Sequence, residues 1–419
     1  MKIFLYNCLL TILLPFMILR IALKAIYDKD YLKDFQNRIG FYNEKSKDNL
    51  LWFHAVSLGE VIGSKPLLKK LVEQNDIVLT VSTPTGLREA KKIYKNNIII
   101  VYAPWDQYFF VNSFLNTFNP TIMILFETEI WPSMIHLANK RKIPIFISNA
   151  RLSSSSLNKY IKIKSLIKES LNKTSLILVQ SEEHLTRFMQ LGVKKEKIKK
   201  CGTTKFDVEI NSSSHDIQKQ DNLILCSSTH AGEDEVAIES FLKLKKDFDN
   251  LKLIIVPRHP ERASSISKIL KKKNIIYEIK SSLPENLNQK EVIVINATGI
   301  LESLYRTANI AFIGGSLFPQ YGGHNIIEPA ANKCAFIIGP YMKNFEDITD
   351  LFKNNSGCIQ INHNYSLYDA FYELLNNTDS RNKLILNAYE VVNNNSGSSK
   401  KQIEYINNFL NHETSNSDN

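Results

Sequence analysis

The chain has 419 residues, 44% of them hydrophobic and 22% charged, with a formal net charge of +10. Such a length implies two domains, at about 100 to 200 residues each, and the composition excludes a largely disordered polypeptide. The basic excess suits anionic partners such as phospholipid headgroups or phosphorylated substrates, but no basic segment interleaves with aromatics, so no nucleic-acid partner is expected.

From Ile3 to Ile26 the chain is almost continuously apolar, interrupted chiefly by Asn7, Arg20 and Lys24. About 20 such residues can cross a bilayer, so residues 1–26 are expected to be a membrane anchor, either spanning or lying in the interface plane. Lys24, Lys29, Lys33 and Arg38 follow the run, which predicts a cytoplasmic location for the bulk of the protein and a basic patch set against anionic membrane lipid. The five cysteines agree: odd in number and without any C-x-x-C pair, they imply a reducing compartment. No histidine or cysteine spacing matches a metal motif, so no metal and no cofactor are expected.

Short apolar runs then alternate with helical stretches: Leu50 to Val56, Ile77 to Ser82, Ile98 to Tyr102, Thr121 to Phe126, Ile143 to Ser148 and Leu176 to Gln180. Buried strands separated by helices predict a doubly wound parallel sheet over residues 27–210. A polar stretch at 211–222 reads as a linker. A second series covers Leu223 to Ser227, Lys252 to Val256, Val292 to Ile295, Ile310 to Ile313 and Ala335 to Ile338, giving a second Rossmann-like domain over 223–410. Residues 411–419 read as a frayed tail. The expected class is α/β, two Rossmann-like domains facing a cleft, with chemistry in the loops after the strands.

Those loops carry the candidates. His54-Ala55-Val56-Ser57-Leu58-Gly59-Glu60 puts Glu60 at a helix start, where a carboxylate serves as a general base or simply complements the helix dipole. Glu127-Thr128-Glu129-Ile130-Trp131-Pro132 follows the fourth strand. Arg151 and Lys205 are cations placed to meet a phosphate or carboxylate, and with Glu127 they are candidate acceptor or phosphate contacts. In the second half, Pro257 and Arg258 end a strand, the proline fixing the loop that aims the guanidinium. Gly314-Gly315-Ser316 and Gly322-Gly323-His324-Asn325-Ile326-Ile327-Glu328 form glycine-rich turns expected to offer backbone N–H groups to an anion, with Glu328 about a turn inside the following helix and available to ribose hydroxyls.

The runs HAVSLGE, STPTG, ETEIWP, NARLS, KFD, STH, VPRHPER, GGS and GGHNIIEPAA occur in this order over nearly the whole chain. As an ordered set they resemble the Kdo (3-deoxy-D-manno-octulosonic acid) transferases of lipopolysaccharide biosynthesis. The resemblance implies a glycosyltransferase-B fold, CMP-Kdo as donor, a lipid A precursor as acceptor, and inversion at the anomeric carbon. It implies Glu60 as catalytic base, and CMP-Kdo contacts at Pro257, Arg258, Gly299, Ile300, Leu301, Asn325, Ile326, Ile327 and Glu328. Two positions depart from it: Ala231 stands where relatives commonly carry Glu, and Thr204 where they carry an aliphatic residue. The rival readings are a UDP-sugar enzyme of the same fold and an inactive nucleotide-sugar-binding module.

Overall fold

The computed structural model describes residues 2–44, 47–208, 220–283 and 290–417. The chain divides into two units, Met1–Asp207 with Ser396–Asn419, and Val208–Asn395.

The first unit is built on a parallel sheet of β1 (Leu51–His54), β2 (Ile77–Val81), β3 (Ile99–Tyr102), β4 (Ile122–Phe126), β5 (Ile145–Ala150), β6 (Leu176–Val179) and β7 (Ile198–Lys200). Their spatial order is β3-β2-β1-β4-β5-β6-β7. The central strands are buried on both faces, which is why they read as unbroken apolar runs. Alternate residues feed separate layers: Trp52 packs with Phe114 and Phe118 on one face, while Leu51 and Phe53 join Leu79 and Phe126 on the other.

The second unit repeats the plan with β8 (Gln220–Thr229), β9 (Lys252–Pro257), β10 (Tyr277–Lys280), β11 (Val292–Ile295), β12 (Ala308–Ile313), β13 (Ala335–Ile338) and β14 (Ile359–Gln360). The order is β10-β11-β9-β8-β12-β13-β14, again parallel throughout. In each unit the order reverses beside the first strand, between β1 and β4 and between β8 and β12. A crevice at the carboxyl end of a parallel sheet opens at such a reversal.

Three boundaries differ from expectation. Residues 211–219 of the expected linker lie outside the described residues, and Gln220 already belongs to β8. The second unit stops at Asn395, not 410, because the helix Ser398–Ser417 returns to the first unit. There Gln402, fully buried, accepts hydrogen bonds from Ser148 Oγ and Asn149 N, and Phe409 packs edge-on against Phe146 at 5.6 Å. Asp207 caps this helix, accepting from the backbone N–H groups of Gly397, Ser398 and Ser399. The stretch read as a frayed tail is therefore helical as far as Ser417; Asp418 and Asn419 lie outside the described residues.

The N-terminal apolar run forms one helix, Lys2–Ala25, long and apolar enough to cross a membrane. Its half-buried residues Ile3, Tyr6, Asn7, Leu10, Leu14, Met17 and Ile21 recur at helical spacing and form one stripe. That stripe faces the first unit. Tyr6 Oη donates to Asp106 at 2.8 Å, Asn7 Nδ2 donates to Ser133 Oγ at 3.0 Å, and Tyr108 N donates to Asn7 Oδ1 at 2.6 Å. The opposite face exposes Phe4, Leu9, Ile12, Phe16 and Leu19. Arg38, read from the sequence as part of a basic patch beyond the helix, is instead buried in the first unit.

Candidate active site

In the first unit the loop after β1 bends at Ala55 and Val56 into the helix Leu58–Val72, with Ser57 as its N-cap. Glu60 folds back over this cap. Its Oε2 accepts the Val56 N–H at 2.8 Å and its Oε1 accepts the Ser57 hydroxyl at 2.9 Å, while Ser57 Oγ receives the Glu60 N–H at 3.4 Å. The candidate base thus also closes the cap of its own helix.

Glu60 is 9% exposed. Burial pushes its carboxyl up to about 7, against the opposing hydrogen bonds from Val56 and Ser57 and with a further push from Glu127. Glu129 is driven up to about 8, again chiefly by burial and then by the charge of Glu60. The loops after β1 and β4 meet at the reversal of strand order, so Glu127 and Glu129, 67 and 69 positions beyond Glu60, lie close enough that the charge of Glu127 raises Glu60 and the charges of Glu60 and Glu127 raise Glu129. Glu127 sits at φ +62°, and its N–H is donated to Ser148 O at 2.8 Å, so the turn that presents it is fixed from β5.

Lys205 lies in the turn Thr204–Phe206, which is pinned to the same unit. Thr204 N donates to Asn149 Oδ1, and Thr204 Oγ1 donates to Gly63 O at 2.9 Å on the helix that carries Glu60. The second bond explains the departure from the aliphatic residue expected here: the buried hydroxyl has its acceptor. The Arg151 side chain is exposed, and its backbone N–H is donated to Thr128 Oγ1, tying the NARLS loop to ETEIWP.

In the second unit Pro257 ends β9 and is buried, while Arg258 is exposed and its N–H is donated to Thr229 O at 2.9 Å. Gly299 has φ +82°, and Ile300 and Leu301 begin the short helix Leu301–Thr307. Asn325 is exposed and its Oδ1 accepts from Ile327 N, whereas the side chains of Ile326 and Ile327 are buried in the unit. Glu328 occupies the first turn of the helix Ile327–Ala331, not a position a turn inside it.

The Gly314-Gly315-Ser316 turn corrects the reading made from the sequence. Its N–H groups do converge, but on a carboxylate of the same chain: Glu233 accepts from Gly315 N, Ser316 N and Leu317 N at 2.7, 2.9 and 2.9 Å, and from His230 N at 2.9 Å. Glu233 is fully buried. The glycines are required by close approach, since a Cβ on Gly314 would lie 2.5 Å from Ser228 O and one on Gly315, at φ +70°, 2.7 Å from the His324 ring. Ala231, where relatives commonly carry Glu, is exposed.

Sequence reasoning also passed over a histidine pair. His230 Nε2 and His324 Nε2 are 2.9 Å apart, their rings are nearly parallel, and Tyr321 stacks on His230 at 3.9 Å. Burial lowers both imidazoles to about 4, so the pair is neutral at pH 7 and one nitrogen donates to the other. Their positions after β8 and β12, in STH and GGH, were the available signal.

A 3-deoxy-D-manno-octulosonic acid transferase of Haemophilus influenzae is 34% identical over 97% of this chain and 98% of its own length. The chain belongs to the Kdo transferase family. The family model described as 3-deoxy-D-manno-octulosonic-acid transferase (kdotransferase) matches residues 33–208, and the transferase of Aquifex aeolicus is 32% identical over 84% of this chain and 90% of its own length. This Kdo transferase is accordingly a glycosyltransferase. Among solved structures, a UDP-GlcNAc 2-epimerase from Neisseria meningitidis shares the two-unit Rossmann-like fold, with a TM-score of 0.56 at 13% identity over 85% of this chain and 98% of that one.

Proposed function

We propose that this Kdo transferase moves Kdo from CMP-Kdo to a lipid A precursor, with inversion at the anomeric carbon, at the cytoplasmic face of the inner membrane. The observation that carries the reading is Glu60: a buried carboxylate at the reversal of strand order, held by Val56 N and the Ser57 hydroxyl, with its pKa raised to about 7. A general base works best when its pKa lies near the working pH. Glu60 takes the proton from the acceptor hydroxyl as that oxygen forms its bond to the anomeric carbon. The bond to the CMP phosphate breaks, and the leaving group departs with the electron pair.

The exposed Arg258, on a loop stiffened by Pro257 and Pro260, supports a charge-assisted contact to that phosphate, and Gly299 to Leu301 and Asn325 to Glu328 supply the remaining donor contacts. Because Ile326 and Ile327 are buried, their contribution is through backbone atoms. Glu127, Arg151 and Lys205 are assigned to the acceptor or to the developing charge. The stripe that fastens the N-terminal helix along the first unit, from Tyr6 to Ile21, supports an in-plane anchor whose outer face enters the leaflet. The test is mass spectrometry of a lipid A precursor after incubation with the purified protein and CMP-Kdo. A mass gain of one or more Kdo residues is expected; turnover with a UDP-sugar and none with CMP-Kdo would overturn the reading.

A further inference from the structure

Between the N-terminal helix and the carboxyl ends of β1, β2 and β3 lies a cavity of about 360 Å³, entirely within the first unit. Its two walls differ in character. Leu10, Leu14, Met17 and Ile21, on the inner stripe of the helix, form an apolar wall, and the same helix contributes Arg20 and Lys24.

The other wall holds Arg38, only 2% exposed. Its guanidinium stacks 3.9 Å from the Tyr102 ring centre, and Nη1 donates to Ser82 O at 3.0 Å. Nε and Nη2 make no hydrogen bond of good geometry; the Tyr102 phenol acts on the cation from the stacked ring, and among the described residues no carboxylate pairs with it. Asp106 also lines the cavity, but its oxygens already accept from Tyr6 Oη, Ser133 N and Met134 N. His54 Nε2 and Trp131 Nε1 are further buried atoms of lining residues without a hydrogen bond of good geometry, while His54 Nδ1 is engaged by Thr80 Oγ1 at 2.8 Å.

A buried guanidinium with two unmet donors is expensive to fold unless a ligand supplies the acceptors. Phosphate oxygens match such a fork. We infer that this cavity is the acceptor's anchoring subsite: Arg38 binds a phosphate of the phosphorylated glycolipid, and the apolar stripe of the helix holds the adjoining acyl chain. Val56 joins the subsite to the chemistry, since it lines the cavity and its N–H holds Glu60. This assignment rests on the proposed glycolipid acceptor and adds to it where that lipid is gripped.

The test uses the full chain in neutral detergent micelles without CMP-Kdo. Trp105 and Trp131 line the cavity, two of the three tryptophans in the chain, so their fluorescence reports occupancy. The wild-type protein should bind the phosphorylated lipid A precursor more tightly than its dephosphorylated form. Arg38→Gln should weaken the phosphorylated ligand about ten- to a hundred-fold, the range for a lost charge-assisted hydrogen bond, and leave the dephosphorylated one unchanged. Arg38→Lys should restore part of the preference.

Equal loss on both ligands, or none on either, would overturn the assignment, as would equal saturation by phosphatidylglycerol or by inorganic phosphate. If Arg38→Gln does not fold, Met17→Glu places a negative charge on the opposite wall and must weaken the phosphorylated ligand selectively. Phosphate-dependent binding without any Kdo transfer would sink the proposed function and leave the subsite standing. Transfer without phosphate dependence would do the reverse.

Discussion

At the scale of single residues, the cap that Glu60 closes and the base role proposed for it have consequences that separate cleanly. Glu60→Gln keeps an acceptor for Val56 N but cannot take a proton. Single-turnover transfer should fall at least 10²-fold, the lower end of what general base catalysis contributes, while the melting temperature moves by only a few degrees. A purely capping role predicts the opposite pattern, a small loss of stability with near-normal turnover. For a general base the ionised form is the active one, so under the proposed role kcat in the wild type should rise with pH through an inflection near 7, following the raised pKa of Glu60. The rise should disappear in the variant. A pH profile that is flat in the wild type would remove Glu60 from the proton transfer.

At the scale of elements, the glycine-rich turn after β12 is held by a carboxylate from the helix that follows β8. Glu233→Ala would strip four N–H groups of their acceptor, and each buried donor left unmet costs about 1 to 3 kcal/mol, though the four will not add. The expected result is a loss of at least about 3 kcal/mol in denaturant unfolding together with weakened CMP binding, because the displaced turn supports its neighbour: Gly315 O accepts from Gly323 N at 2.6 Å and Gly315 packs against the His324 ring. Retained stability would mean that water replaces the carboxylate. The returning helix is a second such device. Cutting the chain after Asn395 removes Gln402 from Ser148 and Asn149 and removes Ile406 from the core, so that truncated protein should melt well below the full chain and expose apolar surface to a dye such as ANS.

At the scale of the whole molecule, buried carboxylates set how stability responds to pH. The folded-state pKa values of Glu60 and Glu129 are raised, to about 7 and about 8 from 4.5, so the folded chain holds protons that the unfolded chain releases. Their contribution to stability is fully present below about pH 4.5 and is lost as pH rises through 7 to 8. The melting temperature should therefore decline from pH 5 to pH 8.5, and Glu129→Gln should flatten that decline by an amount on the order of 1 kcal/mol or more. A decline of unchanged slope in the variant would assign the effect to other groups. Asp106, raised to about 7 by burial, adds to the same trend and ties it to the N-terminal helix through Tyr6.

The sequence by itself determined the two parallel sheets, the strands at their centres and the placement of Glu60, Arg258 and the glycine-rich turns after particular strands. Central strands are buried on both faces, so their apolar runs are continuous and local. The three strands it did not reveal, β7, β10 and β14, are all sheet edges, short and only partly buried, and Ile198–Lys200 and Tyr277–Lys280 carry charged residues that blur any apolar pattern. Only the tertiary structure decided that Glu233 fills the Gly315 turn, that Gln402 reaches back to Asn149 across 253 positions, that two histidines meet, and that Arg38 lies buried beneath the N-terminal helix. Each of these depends on which distant group wins a set of donors or acceptors, and that competition is settled by packing, after the local periodicities have already chosen helix and strand.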